Sequence, residues 1–426
     1  MTLFRRDAPP DTLTLEGRVV DPVEGIDAAL RVVVEDGVVA ALEPLTGTSA
    51  ARVIAPAFVD PHVHLRTPGR EDEETIASGT AAAAAGGYCA ILAMPNTEPV
   101  VDSAAVLRAL VERAREEAVV PTGFMAAISK GQRGEELAEL ADLAAAGAAA
   151  FTDDGRPVVS AGLLRRALRY GTVADALLAL HEEDPALSAD GQMHEGAVSA
   201  ALGLSGWPSL AESTMIERDL ALAAYEQRPL HIMHVSAAAS VEAVRAAKAR
   251  GTLVTAEVTP HHLCLTDDVV RTLDPNTKMN PPLRAAADRD ALVEGLRDGT
   301  LDCVATDHAP HARHEKDVPF EEAPFGVTGL ETAFAVLNTR LVRPGTVPLA
   351  TLLERMSAGP ARAFRLPVPR VAVGEQANLV LLDLDEEWVV REDSFRSRSV
   401  NSWLLGETLT GRVLQTVAGG RLVHGA

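Results

Sequence analysis

The 426-residue sequence is poor in cysteine, in aromatic residues and in long apolar runs. Its three cysteines, Cys89, Cys264 and Cys303, lie far apart and form no CxxC pair, which argues against a disulfide framework and predicts a reducing, cytoplasmic environment. Only 4% of the residues are aromatic, and alanine runs such as residues 81–85 predict closely packed helices. No apolar stretch reaches the length of a membrane span, and none near the start has the form of a signal peptide.

Basic residues are also scarce, because 39 Lys and Arg stand against 60 Asp and Glu, a formal net charge of −21. Such a chain lacks the positive surface that binds nucleic acid, and no cluster of basic residues supplies one locally. An anionic small-molecule substrate would need a local positive centre, such as a metal ion or a well-placed arginine.

The pattern of apolar runs predicts an α/β fold with two parts. Short runs separated by turns occupy both ends of the chain and predict one small β domain built from residues 1–55 and 365–426. Residues 56–364 alternate strand-length apolar runs with alanine-rich helical stretches, which predicts a TIM-type (β/α)8 barrel. The eight predicted barrel strands are residues 57–64, 90–94, 122–127, 149–153, 176–181, 229–235, 253–258 and 301–306.

The first predicted barrel strand ends in Asp60-Pro-His62-Val-His64-Leu-Arg66. Residues two apart on a strand face the same side, so His62 and His64 are both predicted to point into the barrel. Two imidazoles at this spacing can hold one metal ion, although two satisfied polar groups at a strand end would give the same pattern.

The other strand ends favour the metal site. They carry Asp153 and Asp154 on the fourth strand, His181 on the fifth, His234 on the sixth and Asp307 on the eighth. Active-site residues of such barrels come from these carboxyl ends, and a convergent set of imidazoles and carboxylates suits zinc. The spacing leaves Asp153 and Asp154 as alternatives. Because His231 and His234 are three apart, strand alternation lets only one of them point inward.

Four segments resemble the sequence signatures of dihydroorotases, which are enzymes of the amidohydrolase superfamily. The resemblance is to the bacterial dihydroorotase class that has a long chain. They are residues 60–66, Met94-Pro-Asn96-Thr97, Lys278-Met-Asn280-Pro-Pro-Leu-Arg284 and Ala305-Thr-Asp307-His-Ala-Pro-His311. The resemblance covers essentially the whole chain, with one departure at Asn378, where relatives usually have aspartate. It implies zinc-dependent, reversible cyclisation of N-carbamoyl-L-aspartate to dihydroorotate in de novo pyrimidine (UMP) biosynthesis.

The same resemblance implies two zinc ions per chain. Some relatives bind one metal ion, so a single ion is the alternative. One ion would be held by His62, His64 and Asp307 and the other by His181 and His234, with Asp154 bridging them. Many relatives, including hydantoinases and allantoinases, bridge instead with a carboxylated lysine, and the matching segment 151–155 contains no lysine. Asp307 would also be the catalytic base, carrying a proton from the attacking water to the leaving ring nitrogen.

The substrate carries a carboxylate that takes no part in the reaction, and the resemblance implies that Arg66 pairs with it. The further substrate-binding residues that it implies are His64, Asn96, Asn280, His311, Phe325 and Gly326. The segment 311–326 is long, polar and interrupted by prolines. It is either a lid over the site or an ordinary surface loop.

Two rival functions remain at this stage. A hydantoinase, dihydropyrimidinase or allantoinase would share the barrel, but Asp154 in place of a bridging lysine, together with Arg66 and Asn96, argues against it. An inactive scaffold for aspartate transcarbamoylase would be expected to have lost metal ligands, and all six are present. The resemblance instead suggests an active homo-oligomer that can associate with that transcarbamoylase.

Overall fold

The computed structural model describes residues 2–47 and 49–425. Within them the chain forms sixteen strands. They are β1 (Leu13–Asp21), β2 (Ile26–Glu35), β3 (Val38–Pro44), β4 (Arg52–Pro56), β5 (Phe58–Val63), β6 (Tyr88–Ala93), β7 (Thr122–Phe124), β8 (Leu178–Leu180), β9 (Met193–His194), β10 (Gly206–Trp207), β11 (Leu230–Ile232), β12 (Val254–Val258), β13 (Cys303–Val304), β14 (Leu379–Val389), β15 (Thr408–Ala418) and β16 (Arg421–His424).

The same residues form fourteen α-helices, most of which follow the strands of the barrel. They are α1 (Ile76–Ala85), α2 (Ala104–Glu117), α3 (Leu140–Ala146), α4 (Ala161–Ala174), α5 (Pro185–Ser188), α6 (Ala197–Leu202), α7 (Leu210–Glu226), α8 (Ala238–Ala249), α9 (Pro260–Cys264), α10 (Ala286–Asp298), α11 (Arg313–Lys316), α12 (Ala333–Leu337), α13 (Leu349–Met356) and α14 (Ala358–Ala363). None of the helices described here combines the length and apolar character needed to cross a membrane.

The central sheet is parallel and its strands follow one another in chain order. Strands β5, β6 and β7 pair side by side, as do β8, β11, β12 and β13. Phe151 joins the two groups through bridges to Ala126 and Leu178, and Val63 closes the ring through a bridge to His308. The chain therefore forms the predicted (β/α)8 barrel, with the carboxyl ends of its strands at one rim.

Most barrel strands are shorter than the sequence predicts, and two are reduced to one or two residues. The run 149–153 contributes a single bridge at Phe151, and the run 301–306 contributes only β13. Each run leads into an aspartate that departs from the ladder. Asp153 turns its carboxylate to the backbone amides of Ile128 and Ser129, and Asp307 has a left-handed backbone with φ of 47°. Strand geometry ends where the chain begins to build the rim.

Both ends of the chain meet in one seven-stranded sheet, in the order β16-β15-β14-β4-β1-β2-β3. Strand β4 connects the two ends, because it pairs in parallel with β1 and antiparallel with β14. Strand β14 is irregular, with a register shift between Asp383 and Glu387 in its pairing with β15. A separate apolar cluster that includes Val19, Ile54 and Leu379 supports this sheet. It is the predicted small β domain, whereas the boundaries at residues 55 and 365 stay a prediction.

Helix α14 packs so closely against the barrel that Gly359 has no room for a side chain. A Cβ there would overlap the carbonyl oxygen of Asp302, the residue before β13. We expect Gly359→Ala to lower stability by about 2 kcal/mol, because the backbone must shift to relieve the overlap. The measurement is the urea midpoint of unfolding.

Gly162→Ala is the matched control, since Gly162 is the second residue of α4 as Gly359 is of α14. A Cβ at Gly162 would lie 3.8 Å from its nearest neighbouring atom. Its midpoint should stay unchanged or rise, because alanine favours a helix more than glycine does. Equal midpoints for the two variants would contradict the close packing.

Candidate metal centre and substrate cavity

Three of the predicted metal ligands, His62, His64 and Asp307, lie together at the carboxyl rim of the barrel. The Nε2 atoms of His62 and His64 are 3.3 and 3.1 Å from Asp307 Oδ1. One ligand atom from each residue lies within 4.8 Å of the others, and all three side chains are buried. Strand β5 positions His62, and His64 follows the strand directly. This geometry is suited to one metal ion.

Asp154 stands between this group and the second pair of predicted ligands. Its Oδ1 atom is 3.6 Å from His62 Nε2, 3.7 Å from His181 Nδ1 and 3.7 Å from His234 Nε2. The rings of His181 and His234 also meet, with Nδ1 of the first 2.9 Å from Nε2 of the second. One carboxylate therefore faces ligand atoms of both groups, as a bridging ligand must.

The structure separates the two adjacent aspartates that the sequence left as alternatives. Asp153 points away from the histidines, since its Oδ1 accepts hydrogen bonds from the amides of Ile128 and Ser129 at 2.9 and 3.1 Å. Its Oδ2 is held by the Ser129 hydroxyl. The carboxylate of Asp153 is used in the backbone turn, and Asp154 faces the imidazoles.

One ligand atom of the cluster has no hydrogen bond in the described part of the chain. His62 Nε2 is buried and has no hydrogen-bond partner among the described residues, although carboxylate oxygens of Asp307 and Asp154 lie 3.3 and 3.6 Å away. A buried polar atom without a partner costs about 1–3 kcal/mol. Imidazole nitrogens and carboxylate oxygens are donors that zinc and related divalent ions bind. The residues present therefore fit a metal ion.

The charges in the cluster support the same conclusion. Burial lowers the pKa of His62, but Asp307, Asp154 and Glu257 outweigh burial, and the pKa is raised well above its usual range. Burial raises the pKa of Asp154 and Asp307, but the neighbouring histidines reverse this effect and hold both pKa values below the usual range. Buried, ionised carboxylates require positive charge beside them, and a divalent cation can supply this charge in place of protonated imidazoles.

Glu257 on β12 is a site residue that the sequence reasoning missed. Its Oε1 and Oε2 atoms accept hydrogen bonds from His62 Nδ1 at 2.7 Å and His231 Nε2 at 3.0 Å. Burial raises the pKa of Glu257, but His62 and His231 outweigh it and lower the pKa to about 2. A carboxylate on Nδ1 fixes the ring so that Nε2 is free for a metal. The available signal was a lone glutamate within an apolar strand.

The expectation that only one of His231 and His234 points inward is wrong. His231 lies on β11, is fully buried and bonds to Glu257. His234 follows that strand with a φ of 30° and turns its ring toward Asp154. The positive φ interrupts the alternation of the strand, so both rings reach the interior and contact different carboxylates.

A cavity of about 170 Å³ opens beside the cluster. All seven predicted substrate-binding residues line it, namely His64, Arg66, Asn96, Asn280, His311, Phe325 and Gly326. Five of the six predicted metal ligands also reach it, the exception being His62. The structure thus brings together residues that are up to 262 positions apart in the chain (His64 and Gly326).

Arg66 is buried in the wall of this cavity and carries the positive charge that the sequence analysis sought. Its Nε atom is 2.9 Å from Glu73 Oε2 and donates to the Pro310 carbonyl at 3.0 Å. Its Nη2 atom lies 3.4 Å from His311 Nε2. Glu73, which the sequence reasoning missed, is 1% exposed and holds one edge of the guanidinium. An arginine fixed in this way is suited to a bidentate pair with a carboxylate.

The two predicted asparagines contact the ligand histidines or their partners. Asn96 accepts a hydrogen bond from His64 Nδ1 at 3.0 Å and donates to Asp154 Oδ2 at 3.2 Å. Asn280 donates to Glu183 Oε2 at 3.4 Å, and the same oxygen accepts from His181 Nε2 at 3.0 Å. Glu183, also missed from sequence, therefore orients His181 as Glu257 orients His62.

The far wall of the cavity consists of His311, Phe325 and Gly326. His311 Nε2 donates to the Phe325 carbonyl at 2.8 Å. Gly326 has a φ of 118°, and a Cβ there would lie 2.7 Å from the Ala309 side chain. Only glycine fits both the conformation and the space, so the backbone of residues 325 and 326 can approach a bound molecule closely.

Comparison with known proteins agrees with this site. A dihydroorotase from Anaeromyxobacter dehalogenans (strain 2CP-C) is 49% identical over 425 residues, which cover 97% of this chain and 98% of that protein. The chain belongs to the dihydroorotase family. Another family member, from Syntrophus aciditrophicus (strain SB), is 44% identical over 417 residues, with 96% of this chain and 98% of that protein covered. A family model described as dihydro-orotase-like matches residues 51–240.

Solved structures show the fold of the family. An L-hydantoinase (dihydropyrimidinase) from Arthrobacter aurescens superposes with a TM-score of 0.84 at 27% identity, covering 95% of this chain and 94% of its own. A dihydropyrimidinase from Brevibacillus agri NCHU1002 superposes with a TM-score of 0.81 at 23% identity, covering 96% and 95%. The barrel and its small β domain are therefore shared with enzymes of different names.

Glu257→Gln tests the metal centre through the orientation of His62. We expect this variant to bind added zinc about 10- to 100-fold more weakly, because the amide holds the ring of His62 less firmly than a carboxylate does. The measurement is competition for zinc with a chelator of known affinity. Glu242→Gln, which alters an exposed glutamate paired with Arg245, is the control and should bind zinc as the unmodified chain does. Equal affinities for the two variants would contradict the assigned role of Glu257.

Proposed function

We propose that this chain interconverts dihydroorotate and N-carbamoyl-L-aspartate. The observation that carries the proposal is the position of Arg66, a carboxylate-binding side chain in the same cavity as the histidine–aspartate cluster. Family membership supports the same reaction, since the relatives matched over nearly their whole length are named dihydroorotases. A cyclic amide that carries a carboxylate would place its ring amide beside the histidine–aspartate cluster and its carboxylate beside Arg66.

Zinc is the metal that the donor set favours, and the arrangement supports two ions. One would be held by His62, His64 and Asp307 and the other by His181 and His234, with Asp154 between them. When bound there, zinc supplies Lewis acidity to the amide carbonyl and lowers the pKa of water to about 7.

Asp307 is the residue placed to move the proton. Ring opening adds water across the cyclic C–N bond, so the oxygen joins the carbonyl carbon and a proton passes to the ring nitrogen. Asp307 lines the cavity, and an oxygen of its carboxylate would accept that proton from water. It then delivers the proton to the leaving nitrogen. In cyclisation the same carboxylate takes the proton from the nitrogen as the C–N bond forms, and returns it to the oxygen that leaves the carbonyl carbon as water.

The remaining cavity residues orient the ring. Arg66 would pair with the free carboxylate of the substrate, and Asn96 and His311 flank that position. The buried Asn280 Oδ1 has no partner within the described part of the chain, and it is available to accept a hydrogen bond from a ring N–H. Phe325 and Gly326 would close the opposite edge. A few polar groups of this kind are enough to fix one orientation in a small cavity.

The names of the structural neighbours do not favour a second function. Those neighbours include hydantoinases and dihydropyrimidinases, which share the fold. In this chain Asp154 occupies the position between the histidine groups, and the segment 151–155 contains no lysine that could take its place.

The setting of the enzyme is part of the proposal and is supported by the family resemblance alone. We propose a cytoplasmic homo-oligomer, able to associate with aspartate transcarbamoylase. Light scattering of the purified chain alone measures the mass of the homo-oligomer, and light scattering of its mixture with that transcarbamoylase measures whether the two associate.

The reaction and its metal can be tested together with the purified protein. We expect it to open dihydroorotate, to lose this activity on chelation and to regain it when zinc is added. Dihydrouracil has the same ring without the carboxylate, and its kcat/KM should be at least about 100-fold lower, because the Arg66 guanidinium would lose the substrate carboxylate as a partner. A folded, zinc-loaded protein that leaves dihydroorotate intact would refute the proposed function.

Arg66→Lys tests the carboxylate contact within that reaction. We expect KM for dihydroorotate to rise by about 10- to 100-fold with a smaller change in kcat, because lysine cannot form the bidentate pair. Arg313→Lys is the control, since Arg313 is exposed and pairs with Glu392 outside the cavity. Steady-state kinetics of both variants give the answer, and an unchanged KM for Arg66→Lys would remove Arg66 from the binding site.

A further inference from the structure

Lysine is rare in this chain, and two of its four lysines are buried. Only four of the 39 basic residues are lysines, namely Lys130, Lys248, Lys278 and Lys316. Lys278 and Lys316 are 2% and 9% exposed, although lysine is seldom buried unless it is paired. They belong to the two neighbouring segments 275–281 and 311–326, which supply Asn280, Phe325 and Gly326 to the cavity.

The two lysines connect these segments in opposite directions. Lys278 Nζ, on the first segment, donates to the carbonyls of Phe320 and Glu321 on the second, at 2.8 and 3.0 Å. Lys316 Nζ, on the second segment, donates back to the Pro275 carbonyl of the first at 3.1 Å. It also donates to the Pro324 carbonyl at 2.7 Å, within its own segment. Three of the four bonds therefore cross between the segments.

Neither ammonium group has an anionic partner. Across residues 2–47 and 49–425, no carboxylate oxygen lies within 4.0 Å of Lys278 or Lys316 Nζ. Burial lowers the pKa of both side chains, to about 7 for Lys316, where Lys278 contributes to the shift. The ring of Phe325 lies 4.8 Å from Lys278 Nζ and gives partial compensation. An apolar side chain would avoid this desolvation, so the carbonyl hydrogen bonds are the physical reason for lysine here.

These bonds act directly beside the proposed substrate contacts. The Pro324 carbonyl held by Lys316 precedes Phe325, whose own carbonyl accepts the hydrogen bond from His311. The Lys278 carbonyl accepts from the Gly326 amide at 2.9 Å. The side-chain bonds therefore hold backbone next to the far wall of the cavity, whereas the Gly326 bond belongs to the main chain and remains when the Lys278 side chain is changed.

We propose that Lys278 and Lys316 are positioning residues, which clasp the segment 311–326 against the segment 275–281. The clasped segment is a fixed wall of the substrate cavity and not a lid that swings clear in each turnover. The consequence for binding rests on the proposed function, whereas the clasp itself is a property of the fold.

Amide hydrogen exchange tests the clasp without substrate or activity. Lys316→Met and Lys278→Met keep side-chain length and remove the donors, and each should make peptides from 311–326 exchange at least about tenfold faster, since charge-assisted bonds are lost. Lys130→Met is the control, because Lys130 is exposed and pairs with Glu136. Exchange in β8 should stay unchanged in all three variants. Unchanged protection of 311–326 in both buried-lysine variants would overturn the clasp.

Kinetics of the same variants test its effect on binding. We expect KM for dihydroorotate to rise by about tenfold while kcat changes less than threefold, because the proposed metal ligands and Asp307 are untouched. A loss of general stability would lower active-enzyme concentration and kcat without this rise in KM. Faster exchange with an unchanged KM would overturn the positioning role. If the unmodified protein has no activity, the exchange result still decides the clasp, and the failure belongs to the proposed function.

Discussion

The ionised carboxylates around His62 determine how the rim of this barrel is built. Asp154, Asp307 and Glu257 are buried around the imidazole of His62. Together they raise the pKa of His62, while the neighbouring histidines lower the pKa values of the three carboxylates. A cluster with this much charge is expensive to bury unless every group has an opposite charge or a hydrogen bond. Within the described residues His62 Nε2 has carboxylates nearby but no hydrogen bond, and a cation between these groups would supply the missing partner.

The surrounding residues extend this constraint outward. Glu257 fixes His62, Glu183 fixes His181 and Asn96 lies between His64 and Asp154, so that three of the four ligand rings are held by a contact outside the cluster. The substrate cavity repeats the arrangement at Arg66, which Glu73 holds along one edge. Metal sites depend on such outer contacts for affinity as much as on the ligands. The positions of the side chains at the rim therefore depend on two groups of buried acids. Asp154 and Asp307 line the cavity, whereas Glu257, Glu183 and Glu73 lie behind it.

Much of the site could be predicted from sequence because a parallel barrel collects the carboxyl ends of its strands at one rim. Histidines and aspartates at successive strand ends, from His62 to Asp307, were therefore expected to meet. Asp153 and Asp154 could not be separated, because only the folded chain shows which carboxylate the amides of Ile128 and Ser129 take up. The alternation rule failed at His234, where a positive φ follows the strand.

Other contacts left no pattern to read in the sequence. Glu257 is a single glutamate in an apolar strand, and its value lies in reaching His62, 195 positions away. Lys316 and Lys278 likewise meet carbonyls of distant segments, which no local spacing encodes. The fourth barrel strand consists of Phe151 alone, because the chain leaves the sheet after this residue and turns towards Asp153 and Asp154. Sequence periodicity predicts the elements, whereas tertiary hydrogen bonds decide where each one stops.

The central claim is that the cluster around His62 is a metal centre, and anomalous X-ray scattering at the zinc absorption edge tests it most directly. Crystals of the zinc-loaded protein should show two anomalous peaks, one beside His62, His64 and Asp307 and one beside His181 and His234, with Asp154 between them. A single peak at either position would keep the metal centre and remove the second ion. Absence of any peak beside these residues would contradict the account.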